Sequence, residues 1–462
     1  MKTADVSTQS PRIAYLEQQR ALVRSIMGGT FAMRQAGQTY LPKHPAESDG
    51  VYSTRLNKTF LDNFVSLAID KASGKLFARP VKVEDAPPAF DGILDNVDRQ
   101  GQALHPFIMD VAKQAFTDGI SYVMADMPRT DGVQTLADEK ALGVRPYAIH
   151  VKPESVLEIV TGMIAGTETV TRLRIMEEIT IQDGWEYSTI QQVRAWYRDA
   201  GGVRWELYRQ NNKKEWYLFE DGTTTFKDIY LVPFYTNRAG YMEGLPPFQN
   251  IAESNLEHWQ WKSEHAHALS MCCFGMYTAT GAPDDFKFEV GPAKCQISSS
   301  PDTQFGVLET TGTGVTLAAD TLKAIESRIE ATSVNLRVEN AGQVTATAAA
   351  LDSEETNAGL KAVAQGFSDS VGLLLQYFAE MMQLDPAPAG SAVVNDDFGT
   401  AKGSQAGLQE LTKARAQGDV SRSQYLDALM WRGELPPDFD KELNEEELQS
   451  EGPALGTIAV AQ

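Results

Sequence analysis

The sequence predicts an α+β protein whose helices and strands lie in separate blocks, and three observations carry that prediction. Up to about residue 128 the apolar residues recur mostly at helical spacing. From about Pro146 to Phe234 the period drops to two, and from Pro246 to Met382 three amphipathic helices return. A run of strands between runs of helices points to antiparallel pairing rather than to alternating parallel units.

In the first block, Ile13, Leu16, Leu22, Val23, Ile26 and Met27 predict a helix over 12–37 that ends near Gly37. A second helix is expected over 53–72, with Leu56, Phe60, Phe64, Leu67 and Ile69 near one face and a stop at Gly74. Pro80, Pro87 and Pro88 interrupt the next segment. A third helix, 106–117, leads into an apolar strand over 121–127.

The middle block contains strand-like runs at 147–151, 170–181, 191–198, 203–209, 215–219 and 229–235. Asp183-Gly184, Gly201-Gly202, Asn211-Asn212 and Asp221-Gly222 fall between them, and these dipeptides tolerate the positive φ angles of tight hairpins. An antiparallel meander is the expected result. Trp185, Trp196, Trp205 and Trp216 fall within this block. Such aromatics could stack bases, but without an excess of interleaved Lys and Arg they read as core or sheet-face packing.

The third block opens at Pro246-Pro247 with a helix whose Ala252, Leu256, Trp259, Ser263, Ala266 and Ser270 form a thin stripe. Leu322, Ile325, Ile329, Thr332 and Leu336 repeat that stripe on a second helix. Narrow stripes suit long helices that pack side by side. Between the two helices, about 274–316, strand-like pieces at 286–290 and 304–309 predict a small β-rich projection. Residues 341–353, AGQVTATAAALDS, read as a flexible loop. A third helix begins near Ser353 and places Leu360, Val363, Phe367, Val371, Leu374, Phe378 and Met381 on one face. Some 30 residues of it would span about 45 Å, with Gly359, Gly366 and Gly372 as points of bending or close packing. A short strand at 392–394, helices at 408–417 and 421–431, and an acidic end from Glu434 complete the chain.

Composition limits the function. The chain has 462 residues, 42% of them apolar, which is enough for a sizeable core and for two to four domains or one large elaborated one. A net charge of −21 argues against gripping nucleic acid by phosphate neutralisation, yet an acidic wall would let a duplex slide past. Cys272, Cys273 and Cys295 give neither a disulfide framework nor zinc spacing, which favours a reducing compartment. Residues 1–20 lack the apolar core of a signal peptide, and no apolar run approaches the ~20 residues that cross a bilayer. The expectation is a soluble protein made in the cytoplasm, with no membrane partner.

Catalytic signatures are sparse. The chain has no phosphate-binding Gly-x4-Gly-Lys-Ser/Thr loop, no Gly-x-Ser-x-Gly elbow and no His-Glu-x-x-His pair, and Gly312-Thr313-Gly314 lacks a third glycine. His258, Glu264, His265 and His267 form the sharpest metal candidate, but His265 and His267 point about 200° apart on one helix. Asp284/Asp285 and Asp396/Asp397 sit in turn-like sequence, and Cys272–Cys273 reads as helix-end packing. No catalytic residue, metal site or cofactor is expected. The rival is an intracellular metal-dependent hydrolase built on His258, His265 and a carboxylate from Asp284 or Glu264.

Several local motifs in order resemble tailed-bacteriophage portal proteins. They are YSTRLNKTFLDNFVSLAIDKASGKLFARP (52–80), DGISYVMADMP (118–128), RPYAIHVKPESVLEIV (145–160) and VPFYTNRAGYMEGLPPFQNIAESNLEHWQWKSEHAHAL (232–269). The last is the strongest, with its Pro-Pro, Ala252, Asn255 and His258. The resemblance covers about 12–440 and implies a portal-like α+β fold. Residues 1–245 would form a wing, 246–272 and 319–340 a two-helix stem, and 273–318 a clip. Residues 341–353 would be a tunnel loop, 354–399 a connecting helix and strand, and 400–462 a helical crown with the acidic tail.

It further implies a homododecameric ring at one capsid vertex of a virion, assembled in the bacterial cytoplasm, through which double-stranded DNA enters and leaves. Its partners would be the terminase large subunit, the major capsid protein, and a head–tail adaptor or tail protein. Another virion ring, such as a head–tail adaptor, is the milder alternative. Carried onto this chain, subunit contacts fall on Leu256, Trp259, Ile325, Ile329 and Leu336. The clip would meet its partner through Asp284, Asp285, Lys287 and Lys294. Gln343, Thr345 and Thr347 would face DNA, and the absence of Lys or Arg in that loop leaves only weak polar contacts. On that assignment, Asp at Ile325 or Ile329 should abolish the ring and leave a soluble monomer.

Overall fold

A computed structural model describes residues 5–128, 143–199, 201–211, 213–274, 276–283, 286–287, 297–308, 312–333, 346–386, 389–396, 398, 405–431, 434–435, 439, 441 and 443–444. Two compact units result, 1–396 and 397–462. The fold is α+β with antiparallel sheets throughout the described residues.

Helix α1 (Pro11–Met27) starts where the Ser10 side chain accepts the Ile13 N–H and Pro11 occupies the first turn. The single helix expected over 12–37 is two. The chain turns at Gly28-Gly29, Gly29 adopts φ +71°, and α2 (Gly29–Ala36) follows in a new direction. The helix expected over 53–72 also divides, into α3 (Asp49–Lys58) and α4 (Phe64–Leu76). Thr59 adopts extended backbone, and the Asn63 side chain accepts the Ser66 N–H to start α4 afresh. Local capping overrides the continuous apolar stripe, and Phe60, on that stripe, is left exposed. After β1 (Lys82–Glu84), α5 (Leu104–Asp118) ends on Gly119 at φ +85°.

Strand β2 (Ile120–Asp126) is the centre of a three-stranded sheet and is buried on both faces until its last residue. Its neighbours are β3 (Tyr147–Val151) and β9 (Leu231–Tyr235), the first and last runs of the expected meander. Those two runs therefore flank the meander proper instead of belonging to it. The meander is β4 (Val156–Ile164), β5 (Thr167–Asp183), β6 (Glu186–Asp199), β7 (Gly202–Gln210) and β8 (Trp216–Thr224), in sequence order. Strand β4 was not among the expected runs, because Val156 to Val160 come directly after a Pro-Glu-Ser that forms one short turn of 3-10 helix. Leu16 of α1, Tyr122 and Met124 of β2, and Leu173, Ile175 and Trp196 of the meander share one core. A small pair, β10 (Arg238–Gly240) with β11 (Glu243–Gly244), leads to the later helices.

Helix α6 (Gln249–Phe274) is followed by β12 (Met276–Thr280) and β13 (Gln304–Leu308), which pair as an antiparallel hairpin, and by α7 (Thr313–Ser333). The expected partner strand at 286–290 is not the one used. Phe286 and Lys287 carry no strand, 288–290 lie outside the described residues, and Met276–Thr280 pairs with β13 instead. Helix α7 starts six residues before the expected 319, and 334–340 lie outside the described residues.

Helix α8 (Ala346–Met381) begins inside the stretch expected to be a loop to 353. Ala346-Thr347-Ala348-Ala349-Ala350 is rich in the best helix former, and that propensity decides the local state. Its 36 residues span about 54 Å. Leu360, Phe367, Val371, Leu374, Phe378 and Met381 are buried as expected, and Val363 is half-buried. Gly359, Gly366 and Gly372 face open space, so none serves a close approach. Phe367 meets Phe234 of β9 edge-to-face at 5.3 Å, and β14 (Ser391–Val393) pairs with β1. The second unit contains α9 (Gln405–Gln417) and α10 (Arg422–Trp431). No helix among the described residues is long and apolar enough to cross a membrane.

Candidate functional site

The hairpin brings the end of α6 next to the start of α7, so the two helices run antiparallel and pack along their length. His258 of α6 sits beside Glu326 of α7, Nε2 to Oε1 3.1 Å, and Glu257 pairs with Arg328. Ile325 and Ile329 of α7 are almost fully buried, as are Trp259 and Ser263, which share the face of α6 that carries Asn255 toward the helical layer. That burial corrects one expectation. Trp259, Ile325 and Ile329 spend their apolar surface inside their own chain and are not available to a neighbouring copy. Leu256 is half-buried and Leu336 lies outside the described residues. Trp261 and Leu269 on α6, Leu317 on α7 and Phe305 on the hairpin are exposed. The apolar periodicity reported the buried stripes, and isolated exposed apolar residues gave no periodic signal.

The base of α6 is fixed to the helical layer by polar groups that periodicity cannot show. Asn255 is fully buried, accepts the Phe64 N–H at 3.0 Å and donates to the Asp62 carbonyl at 2.9 Å. It thereby binds both sides of the turn that separates α3 from α4. Asn255 was legible only as part of the 232–269 motif. Arg55 of α3 is buried, bonds Glu47 at 2.8 and 2.9 Å, and reaches Ser263 Oγ at 3.3 Å and Glu264 at 3.2 Å on α6. The Arg55 hydrogen bond holds the Glu47 carboxyl down at about 2. A buried guanidinium needs such partners, because an unpaired charge there would cost several kcal/mol.

These contacts place the metal candidates. His258 Nε2 faces Glu326, and its ring meets Phe64 edge-to-face at 5.3 Å. Glu264 is engaged by Arg55 and by His44 at 3.0 Å. His265 and His267 are half-buried further along α6. No group of three His, Cys, Asp or Glu that could hold a metal ion occurs among the described residues. Asp284, Asp285, Lys294, Gln343 and Thr345 lie outside the described residues, Lys287 is exposed, and Thr347 falls in the first turn of α8.

Residues 247–382, from α6 to the end of α8, match a family described as a domain of unknown function, DUF4055. No curated protein matches the chain. Solved structures with similarity to it include a chain from the neck of the native GTA particle computed with C12 symmetry, at TM-score 0.39 and 11% identity, covering 87% of this chain and 99% of that one. A chain from the virion of the native gene transfer agent (GTA) particle gives TM-score 0.41 and 11% identity over 87% and 98%. A chain from the neck of the empty GTA particle computed with C6 symmetry gives 0.41 and 12% over 88% and 99%.

Proposed function

We propose that this chain is the repeating subunit of a virion ring of the portal kind, a conduit for DNA with no reaction of its own. The observation that carries the reading is the helix–hairpin–helix unit. Two antiparallel helices of 26 and 21 residues pack against each other within one chain and leave Trp261, Leu269, Leu317 and Phe305 exposed. Exposed apolar residues on a narrow two-helix element are what lateral contacts between copies would cover. The order of elements, from helical layer through meander to helix pair and long helix, supports the same reading, as do the four sequence motifs. The net charge of −21 suits a wall past which DNA slides without sticking. On this reading the hairpin docks the packaging ATPase and later an adaptor or tail protein, and the stoichiometry is twelve.

Negative-stain microscopy of the purified chain tests the ring directly, with annuli expected. Leu317→Asp, at an exposed position of α7, should abolish annuli and leave a folded monomer. Ile325→Asp, on the inside, should disrupt the pair within each monomer. A compact monomer under every solution condition would sink the reading. Annuli that bind an adaptor but not the packaging ATPase would place the chain in an adaptor ring.

A further inference from the structure

The β5–β6 hairpin outruns the sheet that carries it. Strand β4 pairs no further along β5 than Ile175, and the pairing of β7 with β6 runs from Gln192 onward. Beyond those points the two strands pair only with each other, up to Asp183 opposite Glu186. A two-stranded ribbon standing alone in water is at best marginally stable. Its end adds a further cost, because Asp183 and Glu186 carry like charges directly opposite each other. Both are exposed, and neither makes an ion pair among the described residues. From Ile175 to Val193 the sequence contains no Lys or Arg. Trp185, at the turn, is 94% exposed.

Helix α4 presents the opposite charge in a similar arrangement. Lys71 and Lys75 stand one turn apart on the same side, where like charges again destabilise. Lys71 is exposed, Lys75 is half-buried, and neither makes an ion pair among the described residues. Burial, and secondarily Lys71, hold the Lys75 ammonium below the usual lysine range. The neighbouring carboxylate, Asp70, is taken by Lys113 at 3.2 Å. No Asp or Glu follows from Lys71 to Val83, in a chain with 62 acidic residues against 41 basic ones. Carbonyls that would repel an anion at this helix end are occupied: Ser73 O accepts the Phe77 N–H, and Lys75 O accepts the Asn395 side chain. Gly74 is exposed beside the two lysines, and nothing lies within 4 Å of the place where its side chain would be.

We propose that the tip of the ribbon docks across α4 of a second copy of this chain, with Asp183 and Glu186 against Lys71 and Lys75 and Trp185 over Gly74. Charge complementarity selects that occupant, because two carboxylates without cations meet two ammonium groups without anions. The spacings agree as well. Residues directly opposite in an antiparallel pair hold their Cβ atoms about 4.5–5.5 Å apart, and residues four apart on a helix about 5–6 Å. Docking relieves the repulsion within each pair at once. The ribbon then crosses the helix, and the bare backbone at Gly74 gives the indole ring a flat seat beside the lysines. Each copy offers a ribbon to one neighbour and a helix to the other, so the contact passes head to tail and closes only as a ring. The closure rests on the ring reading above, and the ionic contact itself needs only a second copy.

Charge swaps in the full chain test this. Lys71→Glu with Lys75→Glu, and separately Asp183→Lys with Glu186→Lys, should each weaken self-association at least tenfold in sedimentation, with circular dichroism unchanged. Mixing the two variants in equal amounts should restore association, because the reversed helix then meets the reversed ribbon and the unaltered helix meets the unaltered one. Association of the parent should also weaken as salt is raised from about 0.05 to about 0.5 M. Either variant associating as the parent does, or a mixture that stays apart, overturns the docking. Loss of duplex-DNA retention by the Lys71→Glu, Lys75→Glu variant with association intact also overturns it, and assigns the lysines to phosphates. Microscopy of the same samples separates the two ideas. Annuli that persist in both variants refute the docking alone, and association that is lost and restored as expected but forms no annuli refutes the ring alone.

Discussion

Asn255→Asp is the sharpest probe of how α6 is anchored. The substitution keeps the volume and the acceptor that receives the Phe64 N–H, but replaces the donor aimed at the Asp62 carbonyl by a second acceptor. Asn255→Ala removes both bonds. A buried donor or acceptor left without a partner costs about 1–3 kcal/mol, so Ala loses up to two such terms. The Phe64 N–H also approaches the Asp62 carbonyl at 3.1 Å, a cramped two-residue contact that recovers part of the loss. We therefore expect about 2–3 kcal/mol for Ala, and as much or more for Asp, whose charge is buried facing a carbonyl. Against a total stability of about 5–15 kcal/mol this is easily measured by urea unfolding. Hydrogen exchange should rise at the amides of 62–66. A variant within about 0.5 kcal/mol of the parent, with exchange unchanged there, would refute the anchoring role.

Three other perturbations have measurable outcomes. Gly119→Ala would place a methyl 2.0 Å from the Leu245 carbonyl oxygen at a positive φ, so a loss of at least about 3 kcal/mol is expected, and a melting point within a degree or two of the parent would contradict the close approach. Ile329→Ala should cost about 2–4 kcal/mol and strip exchange protection from α7 ahead of β2; equal loss in both would show that the helix pair is not a separable layer. His150 is driven down to about 4, chiefly by burial and secondarily by Lys152, so the native state refuses a proton that the unfolded chain accepts below about 6.5. Stability should be full above pH ~6.5 and fall by about 1–3 kcal/mol on acidification to pH ~4, and His150→Gln should flatten that slope between about 4.5 and 6.5, above the range in which carboxylates such as Glu47 contribute. An unaltered slope in the variant would assign it elsewhere.

Much of the fold was legible from periodicity alone. Strands β5 to β8 and the buried stripe of α8 follow from alternation and from 3.6-residue spacing, because burial on one face imposes both. The breaks at Gly28-Gly29 and at 59–63 were not, since an apolar stripe can pass across a turn while capping by Asn63 and the reach of Asn255 decide where helices end. The helix pair was legible as a pair, but its stripe was assigned to the wrong partner. Periodicity reports that a face is buried and cannot say whether the cover comes from the same chain. Arg55 with Glu47 and Glu264 was invisible for a related reason: its partners are eight and 209 residues away, and no local pattern marks them.

The edge-to-face contact of Phe367 on Phe234 bears on biosynthesis. Translation proceeds at about 5–20 residues per second, so the helix that covers β9 emerges roughly 7–27 s after the strand itself. During that interval a newly made sheet face lies bare beside the ribosome while the intervening helices are still being threaded out. Nascent chains arrested near residue 350 should bind a hydrophobic dye or a trigger-type chaperone, and release it once arrest is moved beyond about 420. Binding that does not change between those two lengths would mean that something nearer in sequence shields the strand.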